Sequence, residues 1–187
     1  KTFFYTKKDD VTLRSNQIFK HTLGTDPSED ELVYEEKDET FSCYIYKTKS
    51  RKYLIIGSSQ TLSNEYRFLN ADNPDGIWQV FQARERNLEY WISHYDDHFY
   101  ILTNWEAKNF RLMKTSVTST TKGHWQEVIP HREDVLLNDI DIFKNYFVLR
   151  ERKDGLDHLR VKSWSGVEDY YIDFQDPAYS LYSSSNM

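Results

Sequence analysis

Two short segments of the chain are near-copies of each other. The sequence Gly-x-Trp-Gln occurs at 76–79 and again at 123–126, and each copy continues into hydrophobic residues and then Arg-Glu. The two tryptophans, Trp78 and Trp125, lie 47 residues apart. Self-similarity at a fixed spacing constrains the fold strongly, because each repeat must then form the same supersecondary unit.

Three families of strand-like segments, one of which contains the tryptophan motif, recur at about the same spacing. The first is represented by Phe3, Tyr53, Phe99 and Tyr146; the second by Phe19, Phe68, Leu112 and Val161; and the third, which holds the tryptophan motif, by Val33, Val80, Val128 and Ile172. A fourth set, FSCYIYKT, LEYWISHY and NDIDIF, precedes the later units. Turn-forming runs such as Asp72–Gly76 separate the segments, as expected for short antiparallel strands.

Four strands in every 40–50 residues are typical of the blades of a β-propeller. We therefore predict an all-β fold, a partial β-propeller of about four four-stranded antiparallel blades. The predicted repeats are 1–38, 39–85, 86–133 and 134–176, and 177–187 is predicted to be the first strand of a further blade. On this count the chain starts at the second strand of one blade, so we expect an excerpt of a larger propeller.

Composition narrows the function classes. The net charge is −6 and the pI is near 5.5, which disfavours nucleic-acid partners because these require a basic surface. No apolar run reaches the length of a membrane helix, so we expect no membrane partner. The single cysteine, Cys43, excludes an internal disulfide and a multi-cysteine metal cluster, and we expect neither cofactor nor metal. The compartment stays open, with the cytoplasm favoured over the periplasm.

Longer runs of the sequence carry a family resemblance. The segment from Ser28 to Gly76, together with LEYWISHYDDHFYILTNWEAKNFRLMKT, WQEVIPHREDVLL and GLDHLRVKSW, resembles the N-terminal propeller of the prolyl oligopeptidase family, peptidase S9. The greatest similarity is to the oligopeptidase B, or protease II, branch. The resemblance covers nearly the whole chain.

This resemblance implies a seven-bladed propeller that caps an α/β-hydrolase domain bearing a Ser-Asp-His triad. It also implies that the propeller admits short peptides and spares folded proteins, and that cleavage follows Lys or Arg. The printed sequence lacks the G-x-S-x-G nucleophile elbow; the nearest segments, 57–61 and 163–166, do not fit it. We therefore assign no catalytic residue to this chain and expect it to be a non-catalytic, substrate-gating part of a serine oligopeptidase.

Two alternative functions stay open at this point. One is a stand-alone propeller scaffold for protein–protein interaction. The other is a propeller-type glycosidase, which would need two carboxylates converging on the axis. The expected partners are short peptide substrates and the hydrolase domain of the parent chain. We also expect the fragment to self-associate through open blade edges.

Two charged segments follow the last strands of adjacent blades and are the candidate interdomain or gating contacts. These residues are Arg84, Glu85, Arg86, His131, Arg132 and Glu133. Loops at one end of a scaffold commonly carry binding residues, so contact with the hydrolase domain is one interpretation. Solvated surface ion pairs are the other, and both stay open.

Three other features have an ordinary structural interpretation that we favour. His94, Asp96, Asp97 and His98 could ligate zinc, but they fit a turn between two strands with Asp96 and Asp97 at its tip. The acidic stretch 28–39, with seven carboxylates, could attract cationic peptides, although a solvated strand edge is favoured. Cys43 is predicted to be a buried, unreactive side chain.

Overall fold

The computed structural model of the chain describes residues 1–176 and 178–181. Within this part, fifteen β-strands form four antiparallel sheets, accompanied by two short 3-10 helices, Pro27–Glu29 and Lys122–His124. The prediction of an all-β chain built from about four antiparallel sheets is confirmed. The described residues contain no helix that is long and apolar enough to cross a membrane.

Each sheet is a meander in which consecutive strands are neighbours. The first sheet has three strands: β1 (Thr2–Lys8), β2 (Ser15–Thr22) and β3 (Glu31–Glu35). The second has four: β4 (Ser42–Lys47), β5 (Tyr53–Gln60), β6 (Ser63–Asn70) and β7 (Gln79–Gln82). The third has β8 (Tyr90–Tyr95), β9 (His98–Thr103), β10 (Arg111–Ser116) and β11 (Gln126–Ile129). The fourth has β12 (Leu136–Ile142), β13 (Tyr146–Lys153), β14 (Leu156–Ser163) and β15 (Asp169–Tyr171).

The two tryptophan motifs lie at equivalent places, as predicted. Trp78 and Trp125 come directly before β7 and β11, and each of these strands is the last in its four-stranded sheet. Trp78 packs edge-on against Phe4 of the neighbouring first sheet, with ring centroids 6.0 Å apart. Trp125 contacts the rings of Tyr90 in β8 and of Trp105 in the turn after β9 of its own sheet.

The predicted further strand at 177–187 falls largely outside the described residues. Pro177 and residues 182–187 are among those not described, and 178–181 form no strand.

The chain divides into two compact units. The first comprises Lys1–Glu89 together with Val117–His124, and the second comprises Tyr90–Ser116 and the described chain from Trp125 onward. The first unit therefore holds the first two sheets, and the second unit holds the third and fourth.

Strand alternation explains the cores of both units. In β8, Tyr90, Ile92 and His94 are buried while Trp91 is exposed, which is the period-2 pattern of a strand with one buried face. In the first unit, Ile18, Cys43 and Ile56 pack together. The core of the second unit is formed by Tyr100, Leu102, Leu112, Ile129, Leu137, Ile142, Phe147 and Leu149.

Glycine shapes the pairing of β4 with β5. Gly57 lies opposite Tyr44, and a Cβ atom at position 57 would come within 2.5 Å of the Tyr44 ring. The missing side chain thus lets the tyrosine ring lie across the neighbouring strand.

Candidate functional site: the Arg84 and Arg132 ion-pair networks

Arg84 follows the end of β7, and its side chain contacts other residues of the first unit. Its Nη2 donates to Oε2 of Glu36 at 2.5 Å, and its backbone amide donates to Oε2 of Glu65 at 3.0 Å. Its guanidinium also lies over the Phe41 ring, 4.0 Å from the centroid. Arg84 therefore connects the segment after β3 with the second sheet, and it is one of the residues predicted to make interdomain contacts.

Glu36 is the centre of this first network. Its side chain is only 4% exposed, and it accepts hydrogen bonds from Arg84, the Ser58 hydroxyl, the Tyr34 hydroxyl and the Asp38 amide. Burial by itself would raise the pKa of Glu36, but these donors outweigh it and lower the pKa to about 2. The carboxylate is thus charged, and its charge is compensated by Arg84.

Two groups near Glu36, the Tyr34 hydroxyl and the Arg14 guanidinium, complete this network. Burial and then the hydrogen bond to Glu36 raise the pKa of Tyr34 to about 12, so its hydroxyl stays a donor. Arg14 secures the connection that follows Glu36: its Nη1 donates to the carbonyl oxygens of Glu36, Asp38 and Phe41 at 3.2, 3.3 and 2.7 Å. The link between the first and second sheets is therefore held by the Glu36–Arg84 ion pair and by hydrogen bonds from the Arg14 side chain to backbone carbonyls.

Arg132 occupies the corresponding position in the second unit, after β11. Its Nη2 pairs with Oε1 of Glu151 in β13, and its Nη1 donates to the Tyr171 hydroxyl at 3.2 Å. Tyr171 in turn donates to Oε2 of Glu151 at 2.6 Å. Glu151 is 1% exposed, so this network buries a carboxylate between strands of the fourth sheet and the end of the third.

A second carboxylate extends the Arg132 network along the edge of the fourth sheet. Arg160 donates through Nε and Nη2 to the two carboxylate oxygens of Asp169, both at 2.7 Å, which is the bidentate geometry of a strong pair. The hydrogen bond from Arg160, assisted by Lys162, lowers the pKa of Asp169 to about 2. The same Arg160 lies 3.7 Å from Glu151.

The other four candidate contacts differ in exposure. Glu85 pairs with Lys122 at 2.5 Å and accepts from Gln82, so it is used within the first unit. His131 is half-buried, with Nδ1 3.8 Å from the exposed Glu133. Arg86 is exposed and makes no ion pair with any described residue. The structure thus brings Arg84 and Arg132 into internal networks and leaves Arg86 and Glu133 at the surface.

Sequence reasoning missed the burial of two acidic residues and the attachment of one distant loop. The interpretation of 28–39 as a solvated acidic edge is wrong for Glu36, which is buried, and for Asp30, which accepts from the Tyr5 hydroxyl and pairs with His21, both at 2.7 Å. The segment Val117–His124 was also not foreseen to join the first unit. There Thr120 donates to the Phe81 carbonyl at 2.7 Å and the Lys122 amide donates to Gln82 at 2.8 Å.

The remaining sequence candidates have structural positions. His94 is buried with its ring edge-on to Phe99, and Asp96 and Asp97 form the turn between β8 and β9 as predicted. No group of three or more potential metal ligands occurs among the described residues. Cys43 is 1% exposed, and burial raises the pKa of its thiol to about 11, as expected for an unreactive buried cysteine.

A family model described as the prolyl oligopeptidase N-terminal β-propeller domain matches residues 1–187. The chain belongs to this family. The resemblance seen in the sequence is therefore confirmed, and the four sheets are blades of this propeller.

Relatives with known names share the same region. The chain is 36% identical over its full 187 residues to dipeptidyl aminopeptidase BI of Pseudoxanthomonas mexicana, of which it covers 26%. It is 29% identical over 178 residues to protease 2 of Moraxella lacunata, covering 95% of this chain and 25% of that protein. The chain therefore spans about a quarter of the length of these relatives.

Solved structures agree with the fold. Oligopeptidase B from Leishmania major matches with a TM-score of 0.84 and 27% identity, over 94% of this chain and 26% of that one. Oligopeptidase B from Trypanosoma brucei, in a closed form with covalently bound antipain, matches with a TM-score of 0.83 and 27% identity over the same shares.

Proposed function

We propose that this propeller segment belongs to a serine oligopeptidase and restricts which peptides reach its hydrolase domain. The observation that carries the proposal is the family match over the whole chain, supported by the similarity to oligopeptidase B. The chain itself supplies no nucleophile elbow in its printed sequence, so its contribution is to bind, exclude and position rather than to cleave.

The two buried ion-pair networks support this role because they hold neighbouring blades in place. A gate discriminates by size only if its walls keep their shape, and Glu36–Arg84 and Arg132–Glu151 each connect adjacent blades through a buried charge pair. Removing one partner of such a pair leaves an uncompensated buried charge, which costs about 3–5 kcal/mol. We infer that the networks keep neighbouring blades together while peptides pass.

A preference for cleavage after Lys or Arg is the finer part of the proposal. The net charge of −6 favours the approach of cationic peptides through long-range attraction. Glu29, Glu35, Asp38 and Glu39 of the acidic stretch are exposed and contribute to this field.

The first test uses a fluorophosphonate probe for activated serines on the 187-residue chain and on the product of its complete gene. We expect the complete protein to be labelled and the chain alone to stay unlabelled. Labelling of the chain alone would overturn the assignment of a non-catalytic role. An unlabelled complete protein would favour the scaffold function instead.

The second test measures selectivity of the complete protein. Fluorogenic short peptides with Arg, Lys, Ala or Pro before the reporter group should be cleaved fastest after Arg and Lys. The same cleavable sequence placed in a loop of a folded protein should resist. Equal cleavage of the short peptide and the folded protein would exclude gating, whereas uniform rates across the four peptides would exclude only the charge preference.

A further inference from the structure

A cavity of about 410 Å³ opens in the second unit beside the turn between β8 and β9. Its lining combines rings from both blades of this unit with charged side chains. The cavity volume lies in the range of pockets that bind small molecules, about 300–1,000 Å³. Of its lining residues, Lys162 is shared with the extended Arg132 network through its pair with Asp169.

Aromatic rings form the apolar wall of this cavity. Trp164 stacks on Tyr95 with centroids 4.9 Å apart and an interplanar angle of 6°. It also contacts Tyr100 at 5.1 Å and Phe147 at 4.7 Å. Its indole nitrogen donates to the Phe143 carbonyl at 3.0 Å, which fixes the ring orientation. The wall is therefore preformed and rigid, so a flat apolar group can bind there with little ordering cost.

The polar side of the cavity carries an unused positive charge. Lys114 is half-buried and makes no ion pair with any described residue, whereas Lys162 is already paired with Asp169. His98 adds ring nitrogens to the same lining. Asp96 also lines the cavity and repels a negative charge placed beside it, which leaves the surroundings of Lys114 as the favourable place for an anionic group. A single negative charge placed at Lys114 fits this distribution.

We propose that this cavity binds an aromatic carboxylate, with its ring against Trp164 and its carboxylate at Lys114. This site shares Lys162 with the extended Arg132 network, and it does not depend on the proposed peptidase function. Two sources share the required chemistry: the C-terminal residue of a peptide and a small aromatic acid. Both present one apolar ring and one carboxylate a few bonds apart.

The indole N–H signal of Trp164 provides a direct readout by 1H–15N correlation spectroscopy. The chain contains five tryptophans, so the indole region is simple to assign. We expect N-acetyl-L-phenylalanine and 3-phenylpropionate, added at millimolar concentration, to move the Trp164 signal saturably. N-acetyl-L-phenylalaninamide keeps the ring but lacks the carboxylate, and we expect it to bind roughly fivefold more weakly.

Two lysine variants test the contribution of the Lys114 charge separately from that of the aromatic wall. Lys114→Gln should weaken binding of both carboxylates roughly fivefold and leave binding of the amide unchanged. Lys108→Gln is the matched control, because Lys108 is an exposed lysine of the same unit that does not line the cavity. It removes the same net charge and should leave all three affinities unchanged.

Each outcome has a defined meaning. Tighter binding of N-acetyl-L-phenylalanine than of 3-phenylpropionate would support a peptide C-terminus as the source, and the reverse order would support a small acid. A Trp164 signal that does not move at millimolar ligand would overturn the proposal. So would an amide that binds as tightly as the acid, or equal losses in Lys114→Gln and Lys108→Gln.

Discussion

At the scale of single residues, Glu36 shows how one buried charge makes stability depend on pH. Its pKa is lowered to about 2 in the folded chain, below the ordinary value of 4.5. A lowered pKa means that its stabilisation is fully present above about pH 4.5 and is lost as the pH falls toward 2. The difference corresponds to about 3 kcal/mol at neutral pH.

We predict that Glu36→Gln destabilises the chain by about 3 kcal/mol at pH 7, because the Arg84 guanidinium then loses its shortest ion pair and keeps only the longer ones to Glu65 and Asp38. Near pH 2 the variant and the parent should approach each other, since most of the stabilisation from ionised Glu36 is lost as the pH falls from 4.5 to the folded-state pKa of about 2. Urea denaturation at pH 7, 4 and 2.5 measures this. Glu35→Gln is the matched control: Glu35 is the exposed neighbour on β3, and its loss should cost less than about 1 kcal/mol. A pH-independent cost for Glu36→Gln would contradict the role of ionisation.

The residue scale is also where prediction from the sequence was weakest. Glu36 and Arg84 are 48 positions apart, and nothing in their spacing shows that they meet. Glu36 lies in a run of acids, and such a run predicts a solvated edge. Only the packing of the blades decides which carboxylates of the run are buried. Cys43 was easier, because strand alternation with Phe41 and Ile45 already placed it inside.

At the scale of elements, hairpin turns fix how neighbouring strands pair. Between β13 and β14, Asp154 and Gly155 both have positive φ, 50° and 84°. Positive φ at both central residues is characteristic of the type I′ turn, whose twist matches that of the strands. The Lys-Asp-Gly run therefore explains this turn directly from the sequence.

We predict that Gly155→Ala destabilises the chain by about 1 kcal/mol, because an alanine is strained at this φ. Gly123→Ala is the control: a Cβ atom there meets no atom within 4 Å, and its φ is not positive. This change should be neutral or slightly stabilising. Thermal denaturation of both variants measures the difference, and equal midpoints for the two would show that the Gly155 turn does not need glycine.

Elements were predictable because their signal is local. The alternating apolar residues, the turn residues between them and the recurrence of Trp78 and Trp125 each report on a few consecutive positions. The segment Val117–His124 shows the limit of this approach. Its sequence, rich in Ser and Thr, indicates only a loop, and its attachment depends on the backbone carbonyl of Phe81 and the side-chain oxygen of Gln82, far away in the chain.

At the scale of the whole molecule, Arg86 is an exposed candidate contact that makes no ion pair with a described residue. We predict that Arg86→Glu in the complete gene product lowers kcat/KM for short peptides roughly fivefold, through a lost contact with the hydrolase domain. The isolated chain should unfold at an unchanged urea concentration, because Arg86 makes no ion pair with a described residue. Arg51→Glu, at another exposed arginine, is the charge control. Equal kinetics in both variants would remove Arg86 from the interdomain surface.

The edge of the first sheet leads to a prediction about assembly. The Leu23 amide donates to the Lys1 carbonyl, and the alternation of an antiparallel pair then directs the backbone groups of Phe3, Tyr5 and Lys7 toward β2. The amide and carbonyl groups of Phe4 and Thr6 point away from β2, where another strand can pair with them.

We therefore expect the 187-residue chain to self-associate at micromolar concentration, with sedimentation coefficients that rise with concentration. Thr6→Pro removes one outward N–H without touching the bonds to β2, so it should weaken association. Lys37→Pro is the control, because Lys37 lies in a connecting segment and not on the open edge; this variant should leave association unchanged. Thr25→Pro is unsuitable as a control, because it would remove the backbone N–H that donates to the Thr22 carbonyl. A single monomeric species for the unmodified chain, or equal association of the Thr6→Pro variant, would show that this edge does not pair with a second copy.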